Sequence, residues 1–282
     1  MAEEQIWTKH ISSKQKLFDL KLKQVWEYRD LVGLFVKRDF VTYYKQTIFG
    51  PLWYLFQPII NSIMYIIIFG NLAGLGTDDI PQPLFYFSGT MLWTYFSDSM
   101  IRVSNVFFDN RGIFSKVYFP RLTSPIATSI GLIIKLLIQF ALFLIMFVFY
   151  YFKGANVHFY ATMLFFPLIV LWLMLLSVGL GMIISAFTTK YRDLALILGP
   201  IVSLAMYITP VVYPLSEVSD SLRMMFYINP VSTPVELFRV CFFNAGYVPL
   251  NVILLSLGIT LFCLLLGLTL FNHNERSFVD VI

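Results

Sequence analysis

Six apolar stretches, each close to the ~20 residues that an α-helix needs to cross the hydrocarbon of a bilayer, take up most of this chain. They cover residues 52–73, 84–103, 126–152, 160–187, 194–213 and 250–271. With 58% of its 282 residues hydrophobic and only 13% charged, the chain carries more apolar surface than a water-soluble core can enclose. In hydrocarbon every backbone N–H and C=O needs a partner inside the protein, and a helix supplies its own. The expectation is an all-α integral membrane protein with six transmembrane helices.

The basic residues give it an orientation. Sixteen of the 20 lysines and arginines fall on one side of the membrane if the N-terminus is cytoplasmic; Lys153, Arg223 and Arg239 fall on the other, and Lys135 lies within a span. Positive charge accumulates on the cytoplasmic side, so both termini are predicted there. The same loops account for a net charge of +4 without a nucleic-acid partner. Glu3, Glu4, Lys9 and Lys14 precede any apolar run, which is not the layout of a cleavable signal peptide, so the first span is expected to direct insertion. Cys241 and Cys263 lie in apolar surroundings without metal-ligand spacing, which favours packing over a disulfide framework or a zinc site.

Two further segments are apolar without being spans. Residues 25–44 place Tyr28, Leu31, Val32, Phe35, Phe40 and Tyr43 at helical spacing among Arg29, Asp30, Lys37, Arg38 and Asp39, the pattern of an amphipathic helix lying at the membrane surface. The simpler alternative is a plain basic anchor. Residues 214–249 are apolar but broken at Asn229-Pro230 and Asn244-Ala245-Gly246, which predicts two short helices folded back at the outer leaflet. Thr233, Pro234 and Glu236 have the spacing of an N-cap, a first-turn proline and a capping box. Such a hairpin is either a gate beside a cavity or a lid packed on the outer surface.

Catalytic signatures are missing. The sequence has no Gly-x-x-x-x-Gly-Lys-Ser/Thr loop, no His-Glu-x-x-His and no nucleophile elbow, and His10, His158 and His273 are scattered. No catalytic or metal-binding residue is therefore assigned, and Thr77-Asp78-Asp79 is read as a solvated turn. The ionisable groups inside spans are Asp98 and Arg102, four apart and able to pair along one helix face, and Lys135. The Lys135 stem either snorkels to the headgroups or faces a water-filled path. Ser177, Gly181 and Ser185 repeat every four residues and predict a close helix crossing. Pro58, Gly199-Pro200 and Pro210 interrupt their spans.

At the junction of surface helix and first span the chain reads Arg38-Asp39, then Tyr44-Lys45-Gln46-Thr47-Ile48-Phe49-Gly50-Pro51-Leu52-Trp53, then Pro58. Phe119-Pro120-Arg121, Tyr191-Arg192-Asp193, Thr209-Pro210-Val211-Val212-Tyr213 and Asn229-Pro230 follow in order. From the surface helix to its end the chain resembles the permeases of type 2 ABC exporters for lipid-linked O-antigen or teichoic acid. It departs from them at Phe49, where a smaller aliphatic is usual, and at Thr123-Ser124-Pro125.

The resemblance implies a non-catalytic permease of the bacterial plasma (inner) membrane. It would work as two copies with two cytoplasmic ABC ATPases that hold the ATP and magnesium; no cofactor belongs to this chain. The cargo would be a polysaccharide on a polyprenyl pyrophosphate. It also implies an N-terminal tail and interface helix over 1–49, a permease domain over 50–282, a coupling helix over 109–121 and a gate hairpin over 214–249. The ATPase-facing residues would be Arg38, Asp39, Lys45, Lys116, Phe119, Pro120, Arg121, Tyr191, Arg192 and Asp193. A pyrophosphate needs cations where it enters, for which Arg38, Lys45 and Lys135 are the candidates. Sugar rings suit aromatic walls, and Tyr207, Tyr213, Phe226, Tyr227 and Phe242 are the expected gate aromatics. An exporter of a drug or small lipid, an ion-coupled transporter using Asp98 and Lys135, and a membrane glycosyltransferase or acyltransferase are the alternatives.

Overall fold

A computed structural model describes residues 22–45, 47–114, 116–117, 119–191 and 193–281, and among these every regular element is helical. A short helix, α1 (Leu22–Glu27), leads into α2 (Arg29–Tyr44). The first long helix begins as a 3₁₀ turn, continues as α3 (Trp53–Tyr65) and finishes as a π-helix (Ile66–Leu72). Then follow α4 (Gln82–Ser104), the single turns α5 (Val106–Asp109) and α6 (Arg111–Phe114), α7 (Thr123–Phe152), α8 (Phe166–Thr188) and α9 (Asp193–Ala205). The chain ends with α10 (Asp220–Ile228), α11 (Ser232–Phe243) and α12 (Leu250–Val281). Prolines start several of these helices. Pro83, Pro125, Pro167 and Pro234 all lie in first turns, where the absent N–H has no intrahelical acceptor to lose.

Among the described residues, four helices are long and apolar enough to cross a membrane: Gly50–Leu72, Thr123–Phe152, Ala161–Thr188 and Leu250–His273. The other two expected spans differ for separate physical reasons. The α4 helix has the length, at 23 residues, but carries Ser88, Thr90, Thr94, Ser97, Asp98, Ser99 and Arg102. Eighteen of its residues are buried, so protein rather than lipid surrounds it, and its hydroxyls need satisfy no hydrocarbon. The apolar helix Asp193–Ile208 is shorter than 18 residues, about 24 Å at 1.5 Å per residue, and falls short of a ~30 Å hydrocarbon layer. Its chain continues as extended backbone at Thr209, and Val211 and Val212 are wholly buried.

The centre of the fold is the packing of α8 on α4 and α12, with α7 against α4 and α2 against α7. Small residues set these distances. A β-carbon at Gly181 would lie 2.7 Å from Val103 of α4, and one at Gly179 would lie 2.8–2.9 Å from the Leu264 and Cys263 backbone of α12. Backbones approach this closely only without side chains. The expected crossing at Ser177, Gly181 and Ser185 is present; Gly179 and Gly267, which seal the other side of α8, had no regular spacing to announce them. At the end of the molecule that bears α2, a second core joins Phe35 to Val103, Phe107, Phe114, Phe119, Leu122 and Phe271.

Candidate functional site

Between α3, α4 and α9 lies a groove enclosing about 390 Å³. Its walls come from three stripes at helical spacing: Gln57, Asn61 and Tyr65 on α3; Thr90, Trp93, Thr94, Ser97 and Asp98 on α4; Ser203, Met206 and Tyr207 on the α9 side. The hydroxyls are tethered to their own helix. Thr90 Oγ1 donates to Tyr86 O at 2.6 Å and Ser97 Oγ to Thr94 O at 3.2 Å, which satisfies each hydrogen and leaves oxygen lone pairs as acceptors. Gln57 and Asn61 add amides that donate and accept. The Tyr65 hydroxyl contacts Met206 Sδ at 3.4 Å, joining α3 to α9 near one end of the groove. This amide, hydroxyl and ring lining was hidden in the sequence, where Ile and Phe outnumber the polar residues of α3; the signal was the 57, 61, 65 spacing.

Asp98 pairs across helices. Its Oδ2 accepts from Lys135 Nζ of α7 at 2.6 Å, and that ammonium lies 5.5 Å from the Tyr54 ring centroid. Asp98 thus bonds to Lys135 of another helix and not to Arg102, four positions along its own. Helical spacing shows only neighbours on the same helix, and Lys135 comes from another. Gln139 Nε2 donates to Tyr54 O at 2.9 Å, fixing α3 to α7 beside the pair.

The expected ATPase-facing residues gather around one end. Thr188 Oγ1 donates to Ser104 O at 3.0 Å, which holds the corner between α8 and α9 beside the end of α4. Lys45, Lys116, Tyr191 and Asp193 are exposed and Arg121 is half-buried, while Arg192 lies outside the described residues. Phe119 and Pro120 are buried and so are not contact residues. Phe119 packs edge-on to Phe35 at 5.5 Å, positioning α2 from beneath. Where a single coupling helix is expected over 109–121, the described residues form the end of α5, the turn α6, and irregular backbone at 116–117 and 119–121.

Arg38 is committed within the chain: its guanidinium binds Asp39 Oδ1 at 2.7 Å, donates to Asn110 Oδ1 at 3.2 Å, and covers the Phe35 ring. With Thr42, Arg102, Asp109 and Asn110 it borders a second cavity of about 540 Å³. Arg38 thus borders this second cavity, whereas Lys135 lines neither it nor the groove and meets the groove only through Asp98.

The segment expected as an outer hairpin departs most from expectation. Ten of the twelve residues of α11 are buried. Phe242, 1% exposed, stacks on Phe238 at 4.2 Å and meets Phe143 and Phe166 edge-on, so it belongs to the core and lines no path. Tyr207 is exposed, Tyr213 and Tyr227 are half-buried, and Phe226 packs edge-on to Tyr213 at 5.7 Å.

No capping box forms. The helix already begins at Ser232, Thr233 Oγ1 is buried without a partner, and Glu236 Oε1 accepts from Arg239 Nη1 at 2.8 Å. Burial pushes the Glu236 carboxyl up, and Arg239 draws it back down. Arg239 also donates to Val211 O at 3.1 Å and lies 3.8 Å over the Phe85 ring. The helix start is held by Asn229, whose Oδ1 accepts from Val231 N at 3.1 Å while its Nδ2 donates to Thr209 Oγ1 at 2.9 Å and Ile208 O at 3.2 Å.

The sequence profile of the ABC-2 type transporter family matches residues 30–243, from α2 to the end of α11. The chain belongs to that family. Curated members share modest identity over nearly their whole lengths. "O-antigen export system permease protein RfbA" of Myxococcus xanthus is 23% identical over 264 residues, 93% of this chain and 98% of the relative. The Klebsiella pneumoniae protein of the same name is 26% identical over 267 residues, 93% and 99%. "Polysialic acid transport protein KpsM" of Escherichia coli is 25% identical over 244 residues, 85% and 92%. Like other ABC-2 members, the chain is a multi-pass membrane component of an ABC transporter.

Proposed function

We propose that this chain is the permease subunit of an exporter that moves a lipid-linked polysaccharide across the plasma membrane, with the groove between α3, α4 and α9 as one protomer's wall of the path. The lining carries the reading. A sugar ring presents apolar C–H faces and hydroxyl edges together, and the groove offers aromatic faces at Tyr65, Trp93 and Tyr207 beside amides and hydroxyls at Gln57, Asn61, Thr94 and Ser97. Relatives named for O-antigen export and polysialic acid transport support a glycan cargo.

Two copies would face each other across the path. ATP would be hydrolysed on separate subunits docked at the end bearing Lys45, Lys116, Tyr191 and Asp193, with α2 and the α5–α6 turns transmitting the stroke. The polyprenyl pyrophosphate would enter from that side. Six spans with cytoplasmic termini follow from the charge distribution once α4 counts as a span sheathed in protein, and α9 with Thr209–Tyr213 as one completed by covered non-helical backbone. The α10–α11 hairpin is the outer re-entrant element, with α10 its exposed arm.

Reconstituted with its ATPase in liposomes, the complex is expected to move a polyprenyl-diphosphate-linked glycan only when ATP is supplied. ATP-driven movement of a small lipid or drug without glycan, or movement driven by a proton gradient alone, would replace this reading. Single cysteines at positions 78 and 219, in a background lacking Cys241 and Cys263, should react with an external label while one at 116 does not; labelling at 116 overturns the orientation.

A further inference from the structure

The glycan reading leaves the charge of the cargo open, because the relatives are named for both O-antigen and polysialic acid. The groove itself bears on it. In 53–72, 82–101 and 194–208, the segments that form its walls, Asp98 is the one side chain among Asp, Glu, Lys, Arg and His. Its side chain is about one-third exposed, at 32%, whereas that of Lys135 behind it is 13% exposed. The ammonium is occupied by the 2.6 Å bond to Asp98 and by the face of Tyr54. A passing polymer would therefore meet an oxygen, with the balancing cation withheld behind it.

We infer that the groove selects a glycan whose repeating units are uncharged, and that the Asp98–Lys135 pair sets this selectivity. The inference rests on the groove being the glycan path. An acidic polymer would bring a carboxylate to Asp98 with every repeat, in a space where water is limited and no wall residue supplies a cation; like charges repel most strongly where the dielectric is low. A second copy would add a second Asp98 and no cation. Neutral sugars need only what the lining provides: oxygen acceptors, amides and rings. The diphosphate linker crosses once per chain, whereas the repeat charge would have to cross at every step.

The pair also makes the selectivity adjustable. Asp98→Asn removes the negative oxygen and releases the Lys135 cation toward the groove, so acidic glycan should gain. Asp98→Asn with Lys135→Gln removes both charges and with them the repulsion, so the ratio of acidic to neutral transport should rise, by less than in Asp98→Asn, where the Lys135 cation is also released.

The test uses the reconstituted complex with its ATPase and two lipid-linked glycans of matched length, one neutral and one with a carboxylate in each repeat. Wild type is expected to move the neutral polymer at least about tenfold faster, and Asp98→Asn to shift the ratio toward the acidic polymer by roughly tenfold, the scale of one charge change at short range in a partly desolvated site. Equal wild-type rates for the two polymers would overturn the inference and leave the exporter reading standing. Movement of neither, with ATP hydrolysis intact, would overturn the exporter reading. If Asp98→Asn fails to assemble, the double variant and the wild-type ratio still decide; a double variant that keeps the wild-type preference for neutral glycan removes the pair from the argument.

Discussion

The two faces of α4 carry the same residue types to opposite ends. Toward α7 and α8 its hydroxyls close on protein: Ser99 Oγ bonds Ser129 Oγ at 2.7 Å and Ser177 Oγ at 2.8 Å, with the Tyr95 hydroxyl 3.4 Å from Ser129. Toward α3 and α9 the Thr90 and Ser97 hydroxyls bond back to their own helix and leave their lone pairs to an open groove. Serine and threonine on the two faces of one helix are thus two different statements. On the sealed face they fasten helices together, and on the open face they keep an acceptor surface without requiring a partner.

Substitutions can break this contrast from either side, and the sealed side should be the more sensitive. Arg239→Met strands Glu236, 3% exposed, and breaking a buried pair by removing one partner costs about 3–5 kcal/mol. Thermal unfolding of the purified complex should register that loss, and Glu236→Leu with Arg239→Met should recover most of it. A smaller effect is expected from Gly179→Val, which drives a side chain into the α12 backbone at 2.8–2.9 Å; overpacking of this kind costs about 1–3 kcal/mol. A wild-type melting temperature for Gly179→Val would mean that the α8–α12 contact yields. The smallest stability effect belongs to the open face. Asn61→Leu should change stability by no more than about 0.5 kcal/mol yet lower glycan export roughly fivefold, the equivalent of one hydrogen bond of ~1 kcal/mol. Unfolding of Asn61→Leu with unchanged export per folded molecule would sink the assignment of the groove.

Most of the helical framework was legible because length and apolarity are properties of a segment. Relations between segments were less so. Spacing along α4 pointed Asp98 at Arg102, while the shorter route led across to Lys135 on a helix 37 positions away. The Thr233, Pro234, Glu236 pattern had the right residues two positions too late, because α11 begins at Ser232 with Val231 at its N-cap, and Glu236 is already engaged by Arg239. Phe119 and Pro120 looked like a docking motif because motifs report what a family keeps. Phe119 instead packs against Phe35 of α2, and Pro120 next to it in sequence is buried as well. Thr209-Pro210 and Asn229-Pro230 were visible only as separate punctuation, and the fold ties them together through one amide.

That amide also has a chemical lifetime. An asparagine side chain ordinarily ages when the following backbone nitrogen attacks its carbonyl carbon and expels ammonia, leaving an acid. At Asn229 the following nitrogen belongs to Pro230 and has no hydrogen to give up, so this route to deamidation is closed. Conversion to aspartate would place a carboxylate oxygen against the Thr209 hydroxyl oxygen and the Ile208 carbonyl, where Nδ2 now donates. The proline that turns the corner therefore also preserves the one side chain whose hydrolysis would unfasten it.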